Sequence, residues 1–177
     1  MFAREVTLCG YDRYLADTLI NIPTNYICSI AMKNNTIYTA TSADYPEIIA
    51  VWEASVRATH HFLTEDDIQF YKLLILNEYL DLVAVYCTKE NDKITGFLGL
   101  SDDMVQMLFI HPDARGMGIG KQLLQYAIYN KGIKKVDVNE QNTQAVGFYQ
   151  HLGFVIKDRL PVDGAGKPYP ILSMELE

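Results

Sequence analysis

Hydrophobic and polar positions recur along the chain with two periods, and these periods predict the order of its secondary structure elements. Residues 36–41 have the two-residue alternation of a half-buried strand. A helix to about Ala58 should follow, because Pro46 lies where its first turn would begin. A second helix is expected from the capping sequence at 64–67, which places acidic residues in a first turn, to about Tyr79.

The second half of the chain continues this alternation of strands and helices. Residues 82–88 and 94–100 are β-rich and are joined by the turn-like residues 90–93, which predicts a hairpin. A further strand should end at Ile110, and the helix after it should stop at Gly132. The remaining predicted elements are a strand over 134–138, a helix that carries Tyr149, and strands over 154–157 and 169–176. The resulting order is β-α-α-β-β-β-α-β-α-β-β, without an internal repeat.

The most informative segment is VQMLFIHPDARGMGIGKQLLQ, residues 105–125, in which an apolar strand leads into a glycine-rich turn and an amphipathic helix. Gly116, Gly118 and Gly120 have no Cβ, so the backbone can adopt unusual dihedral angles and approach a ligand closely. The first amides of the helix lack partners within the helix and lie at the positive end of its dipole. Arg115 adds a charged, planar group suited to phosphate oxygens. The segment therefore predicts a site for a pyrophosphate.

Spacing separates the glycine-rich families that use such a turn. A dinucleotide fingerprint would need glycine where the chain has Lys121, and a Walker loop would need glycine and Ser or Thr where it has Arg115 and Gln122. The pattern that fits is R-x-x-G-x-G, from Arg115 through Gly118 to Gly120. It resembles the acetyl-CoA pyrophosphate loop of the Gcn5-related N-acetyltransferases, the GNAT family. For this pattern alone, an ordinary glycine-rich turn is an equal alternative.

A second motif further along the chain resembles the closing motif of the same family, N-x-x-A-x-x-F-Y-x-x-x-G-F. Asn142 can cap a helix, and Gly153 can end it. Here the motif consists of Asn142, Ala145, Phe148, Tyr149, Gly153 and Phe154. A core helix with buried aromatic side chains would account for Phe148, but two motifs in the family's order favour the GNAT family.

From about Thr36 to the C-terminus, roughly four fifths of the chain, the sequence is similar to the YjaB-like subgroup of bacterial N-acetyltransferases. W-x-x-S-V-x-A-T-H-x-F-L at 52–63 and G-K-P-Y-P at 166–170 carry this similarity. It implies an N-terminal extension of unknown role at 1–35 and a GNAT domain at 36–177. The family fold is of the α/β (α+β) class, with a mixed, mostly antiparallel sheet of about six or seven strands and about four flanking helices. The sheet is splayed between its fourth and fifth strands.

The resemblance also implies an activity: transfer of the acetyl group of acetyl-CoA to a primary amine, by direct attack in a ternary complex. The acceptor would be a protein lysine or a small-molecule amine, and no metal is expected. Phe109 and Ile110 would contact the pantetheine arm through their backbone at the splay. Tyr149 would protonate the departing thiolate. The residues expected to bind the cofactor are Phe109, Ile110, Arg115, Gly116, Gly118, Gly120, Lys121, Asn142 and Tyr149.

The general base is less clear, because the chain has Gln106 where YjaB-like sequences often have aspartate. Gln106 cannot accept a proton at a useful pH. His60 and His61, just after the first helix, are the remaining catalytic candidates, and a histidine base should produce a rate limb at a pH of about 6.5. Tyr169, in the G-K-P-Y-P segment, is a candidate for lining the acceptor site.

Because Gln106 replaces the carboxylate of related sequences, a CoA-binding module without catalysis is an alternative function. A protein-interaction module is another, because residues 11–20 place apolar side chains at roughly helical spacing. Retention of Tyr149 favours the enzyme.

The composition of the chain limits the kinds of partner and environment that we expect. The chain has 177 residues, of which 49% are hydrophobic, enough for one well-packed domain. No apolar run approaches the roughly eighteen residues that span a membrane, and no secretory signal is recognisable. The net charge of −7 disfavours a nucleic acid partner and suits amine acceptors. Three cysteines without metal or redox spacing, Cys9, Cys28 and Cys87, favour reduced thiols in a cytoplasm. The family resemblance implies a bacterial protein, and we expect a monomer or homodimer.

Overall fold

The computed structural model describes residues 36–177, so the predictions for the N-terminal extension, its helical spacing, Cys9 and Cys28 lie outside the described residues. The strands are β1 (Ile37–Thr39), β2 (Ala84–Glu90), β3 (Lys93–Ser101), β4 (Met104–Ile110), β5 (Lys135–Asn139), β6 (Phe154–Leu160) and β7 (Ile171–Leu176). The longer helices are α1 (Tyr45–Thr59), α2 (Glu65–Leu74), α3 (Ile119–Lys131) and α4 (Thr143–His151). Their order along the chain confirms the predicted one.

The strands form one seven-stranded sheet in the order β1-β2-β3-β4-β5-β7-β6. All neighbouring strands are antiparallel except β4 and β5, which are parallel. This pair is joined only at Met104–Lys135 and Val105–Val136, although both strands continue for several residues. The two strands therefore diverge beyond Val105, which confirms the predicted splay and leaves the facing backbone groups of β4 and β5 without strand partners.

A β-bulge lies in β4 at the point where the splay begins. Gly99 pairs with Met107, whereas the next residue of β3, Leu100, pairs with Val105, so Gln106 is the extra residue. Because of this insertion, the side chains of Gln106 and Met107 face the same side of the sheet and line the same cavity. Gln106 is exposed there, while Met107 is buried.

Two hydrophobic clusters cover the two faces of the sheet. Helices α3 and α4 pack on one face, where Leu123 and Phe154 are almost fully buried. Helices α1 and α2 pack on the other, around Trp52 and Phe97. The side chains of β2 alternate between the two faces of the sheet. Tyr86 belongs to the first cluster, whereas its neighbours Val85 and Cys87 belong to the second. The sheet is thus the middle layer of three, and each face can carry a separate cavity.

The predicted helix ends are confirmed at several points. Thr64 caps α2 in a reciprocal capping box with Asp67. The Asn142 side chain accepts a hydrogen bond from the Ala145 backbone at the start of α4. Gly132, in the left-handed region at φ 72°, ends α3.

The prediction that a strand begins at residue 82 is wrong. After α2, the chain forms a π-helical turn (Ile75–Tyr79) and a short α-helical turn (Leu80–Leu82), so that Leu82 is helical and exposed. The wider π turn inserts a residue into the helical repeat, which keeps Leu80 on the buried face with Ile68 and Ile75. Burial of Leu80 therefore overrides the β propensity of the sequence that follows.

Candidate active site

The glycine-rich loop between β4 and α3 has the backbone conformation that its sequence predicts. Gly116 and Gly118 have φ angles of 77° and 80°, a region that residues with a Cβ rarely adopt. A Cβ at either position would meet no atom of residues 36–177 within 4 Å, so open space lies beside both residues in this part of the chain. The first hydrogen bond of α3 runs from the Gln122 amide to the Gly118 carbonyl. The amides that precede Gln122 in α3 therefore remain available to an anion.

This loop forms one wall of a cavity of about 440 Å³ on the α3/α4 side of the sheet. Its other walls come from β4, the C-terminal end of α1 and helix α4. All nine residues predicted to bind the cofactor line this cavity: Phe109, Ile110, Arg115, Gly116, Gly118, Gly120, Lys121, Asn142 and Tyr149. The structure thus brings together positions that lie up to forty residues apart in the chain. We refer to this space as the loop cavity.

Arg115 joins the loop to helix α1 across this cavity. Its Nη2 atom donates hydrogen bonds to the Ser55 carbonyl at 3.2 Å and to the Ser55 hydroxyl at 3.0 Å. The remaining guanidinium donors make no hydrogen bond with the described residues. Lys121 lies in the first turn of α3, and its side chain is exposed at the cavity rim. Two cationic side chains therefore flank the free amides of the loop.

Tyr149 presents its hydroxyl to the loop cavity from α4. Its ring is 5% exposed and packs edge-on against Phe148 and Phe154. Burial raises the pKa of Tyr149 above its ordinary value, so the hydroxyl stays protonated at neutral pH. Within residues 36–177 this hydroxyl has no hydrogen-bond partner, which leaves its proton available to a bound molecule.

His60 follows the last turn of α1, and its hydrogen bonds determine which ring nitrogen carries the proton. The Thr59 hydroxyl donates to the Ser55 carbonyl at 2.8 Å and lies 2.9 Å from His60 Nδ1. Because the hydroxyl proton is used on the carbonyl, the hydroxyl oxygen accepts from Nδ1–H, and Nε2 keeps its lone pair. Burial lowers the pKa of His60 to about 4, with smaller contributions from Arg115 and His61. His60 is therefore neutral at physiological pH.

A second cavity, of about 560 Å³, lies on the α1/α2 side of the splay. We call it the aromatic cavity, because its walls include Trp52, Phe62, Tyr71, Tyr79, Phe109 and Tyr169. The bulged Gln106 and Asp137 of β5 contribute polar groups to it. Tyr169, the predicted acceptor-site residue, is thus placed in this cavity.

His60 and Phe109 line both cavities, with their ring centroids 6.4 Å apart. They form the boundary between the loop cavity and the aromatic cavity. His61 does not share this position: its side chain is exposed and lines neither cavity. The turn after α1 directs consecutive histidines to different surroundings, so the structure brings His60 but not His61 to the site.

A network of hydrogen bonds holds the loop at 161–170 against α2 beside the aromatic cavity. Asp67 accepts from Thr64 of its own capping box, from the Tyr169 hydroxyl and from the Lys167 ammonium. These hydrogen bonds, that of Lys167 first, lower the pKa of Asp67 below its ordinary value. The Tyr71 hydroxyl donates to Asp163 of the same loop. The Asp67 carboxylate therefore both caps α2 and helps to hold the 161–170 loop.

Comparison with known proteins agrees with this geometry. Residues 81–156 match the model of the acetyltransferase (GNAT) domain. The chain is 40% identical over 128 residues to the peptidyl-lysine N-acetyltransferase YjaB of Salmonella typhimurium, covering 72% of this chain and 88% of that protein. The chain belongs to the GNAT acetyltransferase family. The solution structure of apo-YjaB from Escherichia coli superposes with a TM-score of 0.70 at 36% identity, over 79% of this chain and 95% of that one.

As a GNAT acetyltransferase, the chain is an enzyme that uses acetyl-CoA. The loop cavity suits this co-substrate, because the open space beside Gly116 and Gly118 and the free helix amides accommodate a pyrophosphate. No group of three or more metal-ligating side chains occurs among the described residues. None of the helices within 36–177 is long and apolar enough to cross a membrane.

Sequence reasoning missed three carboxylates near the aromatic cavity, namely those of Asp67, Asp137 and Asp163. Asp67 could be identified only as a capping residue, because its partners on the 161–170 loop are about a hundred residues away. Asp137 had a local signal, since it is the polar position between two buried valines in a strand next to the splay. The alternation along β5 predicts that the Asp137 side chain points out of the core. Only the order of the strands in the sheet shows that it then faces the aromatic cavity.

Proposed function

We propose that this enzyme transfers the acetyl group of acetyl-CoA to the side-chain amine of a lysine in a protein. The observation that supports this most is the shared boundary: one cavity suited to the CoA pyrophosphate and one lined by aromatic rings meet at His60 and Phe109. The names of the YjaB relatives as peptidyl-lysine N-acetyltransferases favour the same acceptor. Aromatic walls suit the alkyl chain of a lysine, which packs against apolar surfaces while its ammonium stays hydrated or paired.

In this proposal the loop cavity binds acetyl-CoA. The amides at the start of α3, Arg115 and Lys121 bind the pyrophosphate. The pantetheine arm enters the splay, where the backbone of Phe109 and Ile110 can bond to it as to an added strand. Arg115 keeps its contact with Ser55 through one nitrogen and uses its other donors for the phosphates.

The backbone of β4, Tyr149 and His60 carry out the acetyl transfer in this proposal. The neutral amine attacks the thioester carbonyl, and a backbone amide near Phe109 or Ile110 stabilises the oxyanion. Collapse of the tetrahedral intermediate breaks the C–S bond and expels the thiolate, which takes the proton of Tyr149, while the nitrogen releases its extra proton and Tyr149 regains a proton from solvent. His60 Nε2 accepts the amine proton directly or through water. Because the pKa of His60 is far below that of a lysine ammonium, we expect His60 to relay the proton to solvent rather than to hold it.

We also propose that the enzyme acts in a bacterial cytoplasm, as a monomer or homodimer and without nucleic acid. Bacterial relatives and the net charge of −7 support this.

The test is an acetyl-transfer assay that follows free thiol. Wild-type protein is incubated with acetyl-CoA and a peptide containing one lysine and a blocked N-terminus, and the product is identified by mass spectrometry. A matched peptide with norleucine in place of lysine is the control. We expect thiol release with the lysine peptide only. Binding of acetyl-CoA without transfer to any amine would instead support the CoA-binding module, and transfer only to small amines would contradict the protein acceptor.

A further inference from the structure

Asp137 lies at the base of the splay and lines the aromatic cavity. It is the first residue of β5 after Val136, the last residue that pairs with β4. Val136 and Val138 are buried in the cluster under α3 and α4, so the Asp137 side chain faces the opposite side and lines the aromatic cavity. Across the splay, the bulge directs Gln106 into the same space.

The Asp137 carboxylate is held in place from one side only. Its Oδ1 atom accepts a hydrogen bond from the hydroxyl of Ser173, its pairing partner on β7, at 2.8 Å. Among the described residues, no cation forms an ion pair with this carboxylate. Oδ2 is therefore free to accept from a ligand, while the serine restrains the side chain.

The other acidic side chain in the aromatic cavity is already fully engaged. Asp163 accepts from the backbone amides of Ala165 and Lys167 through Oδ1 and from the Tyr71 hydroxyl through Oδ2. Lys167, a cation of the 161–170 loop, is paired with Asp67 and does not line the cavity. Within the part of the chain described, the cavity has no lysine or arginine in its wall.

From these observations we propose that Asp137 binds the ammonium group of the acceptor and selects cationic amines. This inference rests on the proposed function and adds the residue that recognises the acceptor charge. The aromatic walls hold an alkyl chain, and the carboxylate at the base of the splay receives the positive end. The Asp137 side chain is exposed at the cavity wall, so a ligand can reach it from solvent. The ammonium is thereby held in the aromatic cavity, and its nitrogen attacks the thioester after it has lost a proton.

The direct test is Asp137→Asn, which keeps the size of the side chain and removes its charge. We expect the acceptor KM for a lysine peptide to rise about tenfold or more, with the acetyl-CoA KM changed less than about twofold. Asp103→Asn is the matched control, because Asp103 is an exposed aspartate in the turn between β3 and β4 that lines neither cavity. It should leave both constants unchanged. Ser173→Ala should raise the acceptor KM in the same direction, but less.

A binding measurement separates this inference from the proposed function. Calorimetry on protein saturated with CoA compares n-butylammonium with 1-butanol, which has the same alkyl chain without the charge. Wild-type protein should prefer the ammonium, and Asp137→Asn should lose that preference by the same factor as its change in KM. If wild-type protein transfers no acetyl group, the proposed function is wrong; if it does and Asp137→Asn keeps the wild-type KM and preference, only the role of Asp137 is wrong.

Discussion

At the scale of single residues, the Tyr149 hydroxyl is the group whose chemistry is easiest to isolate. Tyr149→Phe keeps the buried ring and removes a hydroxyl that has no hydrogen-bond partner among the described residues, so stability and acetyl-CoA affinity should hardly change. Turnover should fall roughly 10²-fold, about 2.7 kcal/mol, because the thiolate loses its proton donor. Thiol-release kinetics measure this.

Tyr126→Phe is the matched control for Tyr149, since Tyr126 is partly buried on α3 and lines neither cavity. It should keep full turnover. A Tyr149→Phe enzyme that also keeps full turnover would show that another group protonates the thiolate.

If His60 is the base, turnover should depend on pH differently from turnover with an ordinary histidine base. With a pKa of about 4, His60 is already neutral at pH 6, so its titration cannot cause a rate limb at about 6.5. His60→Asn should lower turnover by a similar factor at every pH between about 6 and 8. A wild-type limb near 6.5 that disappears in His60→Asn would contradict the lowered pKa.

The same pKa predicts a stability effect whose sign is definite. The folded protein protonates His60 less readily than the unfolded chain, so the unfolded state gains protons first as the pH falls from about 6.5 to 4. Stability attributable to this ring is therefore present at neutral pH and is lost over that range, by up to about 3 kcal/mol. Denaturant unfolding of wild-type protein and His60→Asn at several pH values measures the difference. Parallel curves would contradict it.

At the scale of elements, the start of helix α3 should control co-substrate binding. Gly118→Asp places a side chain and a negative charge in the open space beside the loop, so acetyl-CoA affinity should fall by at least roughly 10²-fold. Gly118→Asn is the matched control, because it introduces the same strain at φ 80° and a similar volume without charge. Calorimetry should show the smaller loss for asparagine. Equal losses would assign the effect to strain rather than to the anion site.

The start of helix α2 should influence the KM for the acceptor, because Asp67 both caps α2 and holds the 161–170 loop. Asp67→Asn weakens the bonds to Lys167 and Tyr169, so we expect a lower melting temperature and a raised acceptor KM, with the acetyl-CoA KM unchanged. Asp66→Asn, an exposed carboxylate in the same turn, should change neither constant. Thermal unfolding and steady-state kinetics together test this. A lower melting temperature without a change in acceptor KM would show that Asp67 is only structural.

At the scale of the whole molecule, residues 36–177 contain the seven strands of the described sheet and the two hydrophobic clusters on its faces. A chain that begins at Thr36 should therefore fold cooperatively and keep acetyl-CoA binding and turnover within about twofold. Circular dichroism, thermal unfolding and the thiol assay check this against the full chain, and gel filtration compares their oligomeric states. Loss of folding or activity would show that the first 35 residues belong to the catalytic domain.

Local sequence determined much of this protein because the features concerned are local. Strand alternation, the capping box at Thr64, the helix stop at Gly132 and the positive φ angles of Gly116 and Gly118 depend on neighbours a few residues away. The element order and the predicted pyrophosphate site followed from such local features, since the two motifs are separated by only one helix and one strand. The resemblance to a known family supplied the splay and the proposed role of Tyr149.

Tertiary structure decided what depends on distant residues. Burial of Leu80 turned a predicted strand start into a π-helical turn, and the bulge at Gln106 reversed the face of one side chain. Burial, and to a smaller extent the positive charge of Arg115, lowered the pKa of His60, while its neighbour His61 stayed exposed. Asp137 reached the aromatic cavity only because β5 lies beside β4. Each outcome depends on the desolvation and alignment of groups far apart in sequence, which no local pattern contains.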